Sequence, residues 1–174
     1  KIKVIVSTQH EARSEMTTAS RGTSLVGNAT IDAARELKED LKTKSLEELV
    51  GRIYSGRWSF DQSTKPGAPG PAVTHYSYSY AAHLVVLDDD GNIDTVTAAH
   101  DAGKIINPTL FEGQIEGSVH MGLGYALSEE LELENGQLKS KKMRDLGLLK
   151  IKDTPQIIVK GLEVTDPLGP YGAK

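Results

Sequence analysis

Cysteine is absent from this chain of 174 residues, and aromatic residues make up only 5% of it. Without cysteine, the chain forms no disulfide, presents no thiolate nucleophile and holds no iron–sulfur cluster of its own. Long apolar runs are also missing. None approaches the ~18 residues of a transmembrane helix, and no signal-peptide pattern opens the chain. These absences favour a cytoplasmic protein that has no membrane partner.

An excess of positive charge is missing as well. The chain has 20 lysine and arginine residues against 24 aspartate and glutamate residues, which gives a formal net charge of −4. Because no basic stripe is present, a nucleic-acid partner is not expected. The length fits a single domain over residues 1–174. The chain begins without methionine and stops within a segment rich in glycine and proline, so we expect a fragment of a longer protein.

A helical pattern extends from residue 107 to residue 131. Asn107 is a good N-cap, and Pro108 suits the first helical position because its missing N–H would have no partner there. Apolar residues recur at close to helical spacing and predict one core-facing stripe. The stripe consists of Ile115, Val119, Leu123, Leu127 and Leu131.

The same predicted helix contains four glycines, Gly113, Gly117, Gly122 and Gly124. Each costs roughly 0.5–1 kcal/mol relative to alanine in a helix interior. The pattern therefore indicates that something lies very close to the backbone. A tightly packed helix or strand is one explanation. The other is a flat ligand, beside which Gln114 would offer amide donors and an acceptor.

A second helical pattern follows a hydroxyl-rich run at residues 17 to 24. Thr23 and Ser24 are both good N-caps, so the helix is expected to begin near them. Its predicted core stripe is Val26, Ala29, Ala33, Leu37 and Leu41. Hydroxyl groups, Arg21 and a flexible glycine ahead of a helix N-terminus suit a phosphate group, although ordinary helix capping explains the same residues.

The remaining segments predict turns and strands. Ser45 and Glu48 form a capping-box pattern that opens a short helix ending at Gly51. Residues 55–73 form a long loop rich in glycine and proline. Two hairpins are expected, one turning at Asp90-Gly91 and one at Asn135-Gly136. The first hairpin has alternating tyrosines at 76, 78 and 80 and a buried apolar run at residues 84–87, and its second strand is residues 93–99. Further strands are expected at residues 147–151 and 156–164.

These patterns predict an α+β fold, in which antiparallel strands pack against two principal helices. Protein ligands for a metal are not expected. The acidic turn that begins at Asp88 has glycine at the fourth position instead of the sixth and no glutamate at the twelfth, so it is not an EF-hand. The five histidines show no spacing typical of a zinc site.

Three groups of motifs carry a family resemblance. They are residues 18–23; residues 101–108 with 113–117, 122–124 and 129–130; and residues 166–174. In this order they resemble the molybdenum-cofactor-binding part of the xanthine dehydrogenase and aldehyde oxidase family, as in the bacterial xanthine dehydrogenases. The resemblance implies part of a molybdenum hydroxylase that oxidises a purine-like N-heterocycle, with water as oxygen source. An aldehyde oxidoreductase, or a non-catalytic structural or anion-binding domain, is the alternative.

The resemblance also implies a cofactor site. The cofactor would be molybdopterin with molybdenum, in its cytosine dinucleotide form, and partner subunits or domains would carry 2Fe-2S clusters and FAD. Cofactor-binding positions are Ala19, Ser20, Arg21 and Thr23 near the phosphate, and Gly113, Gln114 and Gly117 along the groove. The family's catalytic glutamate is expected beyond Lys174, so no catalytic residue is assigned and the chain alone should be inactive. Leu146, Leu149 and His120-Met121 depart from the family pattern and leave the substrate open.

Overall fold

The computed structural model describes residues 3–5, 20–65, 67–75 and 77–174. The chain divides into two compact units, Lys1–Ser59 and Phe60–Lys174. Each unit is described by itself, and the expected single domain over residues 1–174 stays a prediction. Within the described residues, no helix is long and apolar enough to cross a membrane.

The first unit is built on helix α1, Gly22–Asp40. Its N-cap is Arg21, so the prediction that Thr23 or Ser24 caps the helix is wrong, and both lie in the first turn. Ser24 is buried. Among the described residues, no side chain caps this helix.

The core face of α1 differs from the predicted stripe. Val26 is 63% exposed, and Leu41 lies beyond the end of the helix. Ala29 and Ala33 are covered because the chain returns directly onto them at Gly56. A Cβ atom at Gly56 would lie 1.9 Å from the carbonyl oxygen of Ala29 and 2.5 Å from the backbone nitrogen of Ala33. Small residues on both sides permit this close contact.

Asp40 ties the following segment to the end of α1. Its carboxylate accepts hydrogen bonds from Lys44 Nζ and from the Tyr54 hydroxyl, each at 2.8 Å, and pairs with Arg52 at 2.9 Å. The predicted capping box also forms. The backbone N–H of Ser45 donates to Glu48 Oε2 at 2.8 Å, and the N–H of Glu48 donates to Ser45 Oγ at 3.4 Å. The expected short helix is wrong, because residues 46–51 form turns.

In its described residues, the second unit contains helix α2, Pro108–Leu127, and five strands. The strands are β1 (Ala81–Leu87), β2 (Ile93–Asp101), β3 (Leu133–Glu134), β4 (Gln137–Leu138) and β5 (Gln156–Leu162). β1, β2 and β5 form one sheet in that order, and β3 pairs with β4. Both predicted hairpin turns are present, and Asn135 and Gly136 adopt the left-handed conformation of a tight hairpin turn. Residues 55–65 and 67–73 contain no helix or strand, as predicted.

The α+β class is confirmed, but the sheet is mixed. β1 is antiparallel to β2, whereas β5 is parallel to β2. A parallel return needs a crossover connection, which α2 and the β3–β4 hairpin supply. The predicted strand at residues 147–151 is wrong. Gly147 packs against the backbone of Ser128 after α2, and Ile151–Asp153 forms a 3-10 turn.

Helix α2 begins as predicted and ends earlier. Asn107 Oδ1 accepts the backbone N–H of Leu110 at 3.1 Å, and Pro108 is the first helical residue. At the other end, the N–H groups of Ser128 and Glu129 both donate to the carbonyl of Gly124. These bonds end the regular helix, so Leu131 lies outside it and the predicted extension to residue 131 is wrong.

The core of this unit lies between α2 and the sheet. Val119 and Leu123 pack with Val96 and Ala98 of β2, and flanking side chains complete the cluster. The flanking residues are Ile93, Ile115, Leu149 and Ile157. No residue of β1 belongs to this cluster, and all seven residues of β1 are exposed. The predicted burial of residues 84–87 is therefore wrong, because the cluster is formed by α2, β2 and β5 and leaves β1 at the uncovered edge of the sheet.

Gly56 provides a test of the packing in the first unit. We expect Gly56→Ala to destabilise the chain by about 1–3 kcal/mol, because the added methyl group meets the rigid backbone of α1. Denaturant unfolding measures the change. Gly122→Ala is the matched control, since a Cβ there meets nothing within 4 Å and should not destabilise the helix. Equal stability of Gly56→Ala and the wild type would contradict this packing.

Candidate functional site

Gly113 and Gly117 lie one helical turn apart on α2, and together with Gln114 they form the surface that we call the glycine face. A Cβ built at either glycine meets nothing within 4 Å. Gly124 differs, because a Cβ there would lie 2.5 Å from the carboxylate of Glu129 and 3.4 Å from Leu149. Packing within the chain therefore explains Gly124, whereas nothing in the described chain explains Gly113, Gly117 or Gly122.

Gln114 is exposed beside these two glycines. Its backbone carbonyl accepts a hydrogen bond from Ser118 Oγ at 2.8 Å. Among the described residues, none hydrogen-bonds to its side-chain amide. Both the N–H₂ group and the carbonyl oxygen of the side chain are thus available to a polar ligand.

Apolar side chains are exposed elsewhere on α2. Leu110, Met121 and Tyr125 lie away from the sheet and are 71%, 64% and 81% exposed. A helix that is apolar on most of its circumference is normally buried on more than one side. The outer surface of α2 is therefore suited to contact with a ligand or with another protein segment. The glycine face allows such a group to approach the helix backbone most closely.

Asp101, at the end of β2, joins two of the sequence motifs. It is buried, and its carboxylate accepts the backbone N–H of Gly103 at 3.1 Å and that of Val164 at 3.2 Å. It also forms an ion pair with Lys174, whose side chain is 10% exposed. The hydrogen bond from Lys174 is the main reason that the pKa of Asp101 lies below its ordinary value, and the two N–H groups add to it against the effect of burial.

Backbone contacts reinforce this junction. Gly103 has φ +60°, and a Cβ there would lie 2.2 Å from the carbonyl oxygen of Gly172. The N–H of Lys104 donates to that same oxygen at 2.9 Å, and the N–H of Lys174 donates to the carbonyl of Ala102. The motifs at 101–108 and 166–174 are thus held against each other. Sequence reasoning missed the Asp101–Lys174 pair, since no local spacing connects residues 73 positions apart.

Glu163 fixes the loop that leads into α2. Its carboxylate accepts two hydrogen bonds from Lys104 Nζ, at 3.1 and 3.0 Å, and the backbone N–H of Ile105 at 3.0 Å. The N–H of Ile105 and the ammonium of Lys104 lower the pKa of Glu163. The loop that leads into α2 is therefore anchored by Asp101 and by Glu163. The glycine face begins about one helical turn after this loop.

The first unit contains the other predicted cofactor residues. Ser20 is exposed with φ +53°, Arg21 is the N-cap of α1, and Thr23 is exposed in its first turn. The N–H groups of a first helical turn have no partner within the helix and point toward an anion if one is present. Ala19 lies outside the described residues. The assignment of these residues to a cofactor phosphate stays a prediction.

The site contains no cluster of metal ligands. Within the described ranges, no group of three or more histidine, aspartate or glutamate side chains could hold a metal ion. The described residues of the glycine face and of the start of α1 present backbone and polar groups of the kind that bind an organic or phosphorylated ligand.

A family model matches a large part of the chain. Residues 42–155, more than half of the chain, match the molybdopterin cofactor-binding domain. The chain belongs to this family. The match includes β1, β2 and the whole of α2 with its glycine face. The resemblance found in the sequence motifs is thereby confirmed.

Individual relatives agree with the family assignment. The chain is 34% identical over 126 residues to the xanthine dehydrogenase molybdenum-binding subunit of Escherichia coli O157:H7, covering 71% of this chain and 16% of the relative. It is 28% identical over 205 residues to a probable xanthine dehydrogenase subunit of Bacillus subtilis (strain 168), covering 97% of this chain and 28% of that protein.

A solved structure shares the fold. The aldehyde oxidoreductase from Desulfovibrio desulfuricans ATCC 27774 aligns with a TM-score of 0.71 and 28% identity, over 89% of this chain and 18% of that chain. The chain thus spans less than a third of the length of these relatives. These comparisons establish a shared fold and a shared family. They do not assign the activity of a whole enzyme to this chain.

The Asp101–Lys174 pair gives a pH-dependent prediction. We expect Asp101→Asn to lower the thermal unfolding midpoint at pH 7 by several degrees, because Lys174 is left buried without its counter-charge. The pKa of Asp101 is depressed on folding, so its contribution is complete above the ordinary value of 3.8 and is lost as pH falls through the lower folded pKa. The difference between wild type and variant should therefore shrink below about pH 4.

Lys104→Met is the control for this experiment. It removes the Lys104–Glu163 pair, which is about half exposed and therefore contributes little. A fall in the unfolding midpoint as large as that of Asp101→Asn, or a pH-independent difference for Asp101→Asn, would contradict the assigned role of the buried pair.

Proposed function

We propose that this chain forms one wall of the molybdopterin groove in a molybdenum hydroxylase, and that the glycine face is the part that contacts the cofactor. The observation that carries the proposal is the open space above Gly113 and Gly117 in a chain of the molybdopterin cofactor-binding family. When bound, the cofactor supplies the two-electron redox centre at which a substrate carbon is oxidised with water as oxygen source.

The residues fit a flat, polar ligand of this kind. Without Cβ atoms, Gly113 and Gly117 allow a ring system to lie against the helix backbone. Gln114 would pair with polar ring edges through its free amide. The second contact region is the start of α1. There Ser20, Thr23 and the first-turn N–H groups would bind the phosphate, with Arg21 and Ala19 beside them.

The contacts between residues 101–108 and residues 166–174 keep the groove in a fixed shape. Asp101, Lys174 and Glu163 fix the loop before α2 on both sides, and this anchoring reduces the conformational freedom that a ligand would otherwise have to remove. These residues act on the position of α2 and make no contact with the ligand in this proposal.

The whole enzyme would contain more than this chain. We infer that partner subunits or domains carry 2Fe-2S clusters and FAD, that the pterin is the cytosine dinucleotide form, and that the cytoplasm is its location. A glutamate outside this chain would serve as the catalytic base. The names of the relatives favour a purine-like N-heterocycle as substrate. An aldehyde is the second candidate, because the aldehyde oxidoreductase shares the fold over most of this chain.

Substitutions on the glycine face test the cofactor contact in the intact enzyme. Gln114→Ala and Gly113→Ala should both lower the molybdenum and pterin content. Loss of the Gln114 hydrogen bond is expected to cost ~1–3 kcal/mol in cofactor binding. In this chain without cofactor, Gly113→Ala should raise stability by about 0.5–1 kcal/mol, because the methyl group meets only open space.

Glu112→Ala, an exposed change next to the glycine face, is the matched control and should leave cofactor content unchanged. Ser20→Ala tests the phosphate contact, with the exposed Ser55→Ala of the same unit as its control. Cofactor content is measured by elemental analysis and by release of the dinucleotide. Full molybdenum occupancy in Gln114→Ala and Gly113→Ala would contradict the proposed contact.

The chain alone should be inert. We expect the purified 174-residue chain to contain no stoichiometric molybdenum and to catalyse no oxidation of purines or aldehydes with an artificial electron acceptor. The reason is that one wall of a groove leaves the pterin exposed to water and without its other contacts, and each lost ~1.4 kcal/mol weakens binding about tenfold. Stoichiometric metal together with turnover would show that this chain carries a complete site.

A further inference from the structure

His83 and His100 form a pair of histidines on the sheet, away from the glycine face. In the β1–β2 register, His83 lies opposite Ala98, and His100 is two residues farther along β2. The two side chains are therefore diagonal neighbours on the same face of the sheet, a relation within reach of long side chains. Their Nε2 atoms are 2.7 Å apart, and the ring centroids are 4.9 Å apart.

The pair has an unusual hydrogen-bonding arrangement. Both side chains point the same ring nitrogen at each other, so at least one ring must be neutral and present a lone pair. No acidic side chain among the described residues shares this contact. His83 is exposed and His100 is half-buried. Burial lowers the pKa of His100, and the nearby His83 adds to the effect.

We propose that His83 and His100 form a two-histidine chelate for a divalent transition-metal ion, separate from the cofactor groove. Imidazole nitrogens bind such ions at about 2.0–2.1 Å, so two nitrogens on one ion lie about 2.9–3.4 Å apart for bond angles between square and tetrahedral. The observed 2.7 Å between the Nε2 atoms must therefore open by a few tenths of an ångström, and the two rings must turn so that their lone pairs, which now point toward each other, converge on the ion. The smallest increase in the distance between the two Nε2 atoms corresponds to a square arrangement of ligands, which Ni²⁺ and Cu²⁺ prefer.

The location gives the chelate a structural consequence. β1 is an edge strand that contributes nothing to the core cluster and is held in the sheet through β2. An ion bound to one residue from each strand would connect them through side chains in addition to the backbone ladder. Water would fill the remaining coordination positions, because no third protein ligand is present among the described residues.

Titration of the untagged protein with NiCl₂ tests the site by calorimetry and thermal unfolding. The wild type should bind one Ni²⁺ at this site, with a rise in the unfolding midpoint. His83→Gln should weaken that binding about 100-fold, because the second ligand of a chelate acts at high effective concentration. His83 is exposed, so the variant should keep the wild-type circular dichroism spectrum. His100→Gln should weaken Ni²⁺ binding to the same extent.

His75→Gln is the control, since His75 is an exposed histidine whose ring pairs with the hydroxyl of Thr74 at 2.9 Å. It should bind Ni²⁺ within about twofold of the wild type, as expected for a residue outside the chelate. The proposal is overturned if the wild type shows no saturable binding up to millimolar Ni²⁺. It is equally overturned if folded His83→Gln binds Ni²⁺ as tightly as the wild type.

Discussion

The contact between α2 and the strands β2 and β5 is the interaction on which the second unit depends. Val119 and Leu123 reach Val96 and Ala98, and Ile115 and Ile157 extend the same cluster. Burial of apolar surface at ~25 cal/mol per Å² makes such a cluster the main favourable term in a small unit. Among the described residues, Gly113 and Gly117 lie on a part of α2 that this packing leaves open.

This one-sided packing links the fold to the proposed function. A helix buried on all sides would explain its glycines by neighbouring elements, as Glu129 and Leu149 explain Gly124. Gly113 and Gly117 have no such neighbour in the described chain, and each lowers the helical stability that an alanine would give. A ligand or a chain segment that approaches the bare backbone would account for their presence. The molybdopterin family assignment favours the ligand, in line with the proposed function.

Two polar anchors set the position of the glycine face. Asp101 holds residues 166–174 against the end of β2 through Lys174, and Glu163 holds Lys104 and Ile105. A buried ion pair adds little to the free energy of unfolding when it is compared with well-packed apolar residues in the same place. Removing only one of its two partners is costly, because the other charge is left buried and unpaired. The consequence is a defined geometry at the point where β2 leads into α2. Two of the sequence motifs that signal the family, residues 101–108 and 166–174, are thus joined in space by charge and by backbone hydrogen bonds.

Local patterns in the sequence were sufficient for some features. Asn107 and Pro108 marked the start of α2, Ser45 and Glu48 formed their reciprocal hydrogen bonds, and Asn135-Gly136 formed its turn. In each case the deciding interaction connects residues at most four positions apart or depends on one residue's backbone preference. The family motifs likewise identified the class of cofactor, because they are conspicuous residue types in a fixed order.

Other features were decided only by the tertiary structure. The sequence alone determined neither the parallel pairing of β2 with β5 nor the exposure of β1. It also left open the Asp101–Lys174 pair, the His83–His100 contact and the choice of which helix glycines remain uncovered. These depend on contacts between residues far apart in the chain. Such contacts exist only after the core has fixed the relative positions of helix and sheet, and no local propensity encodes them.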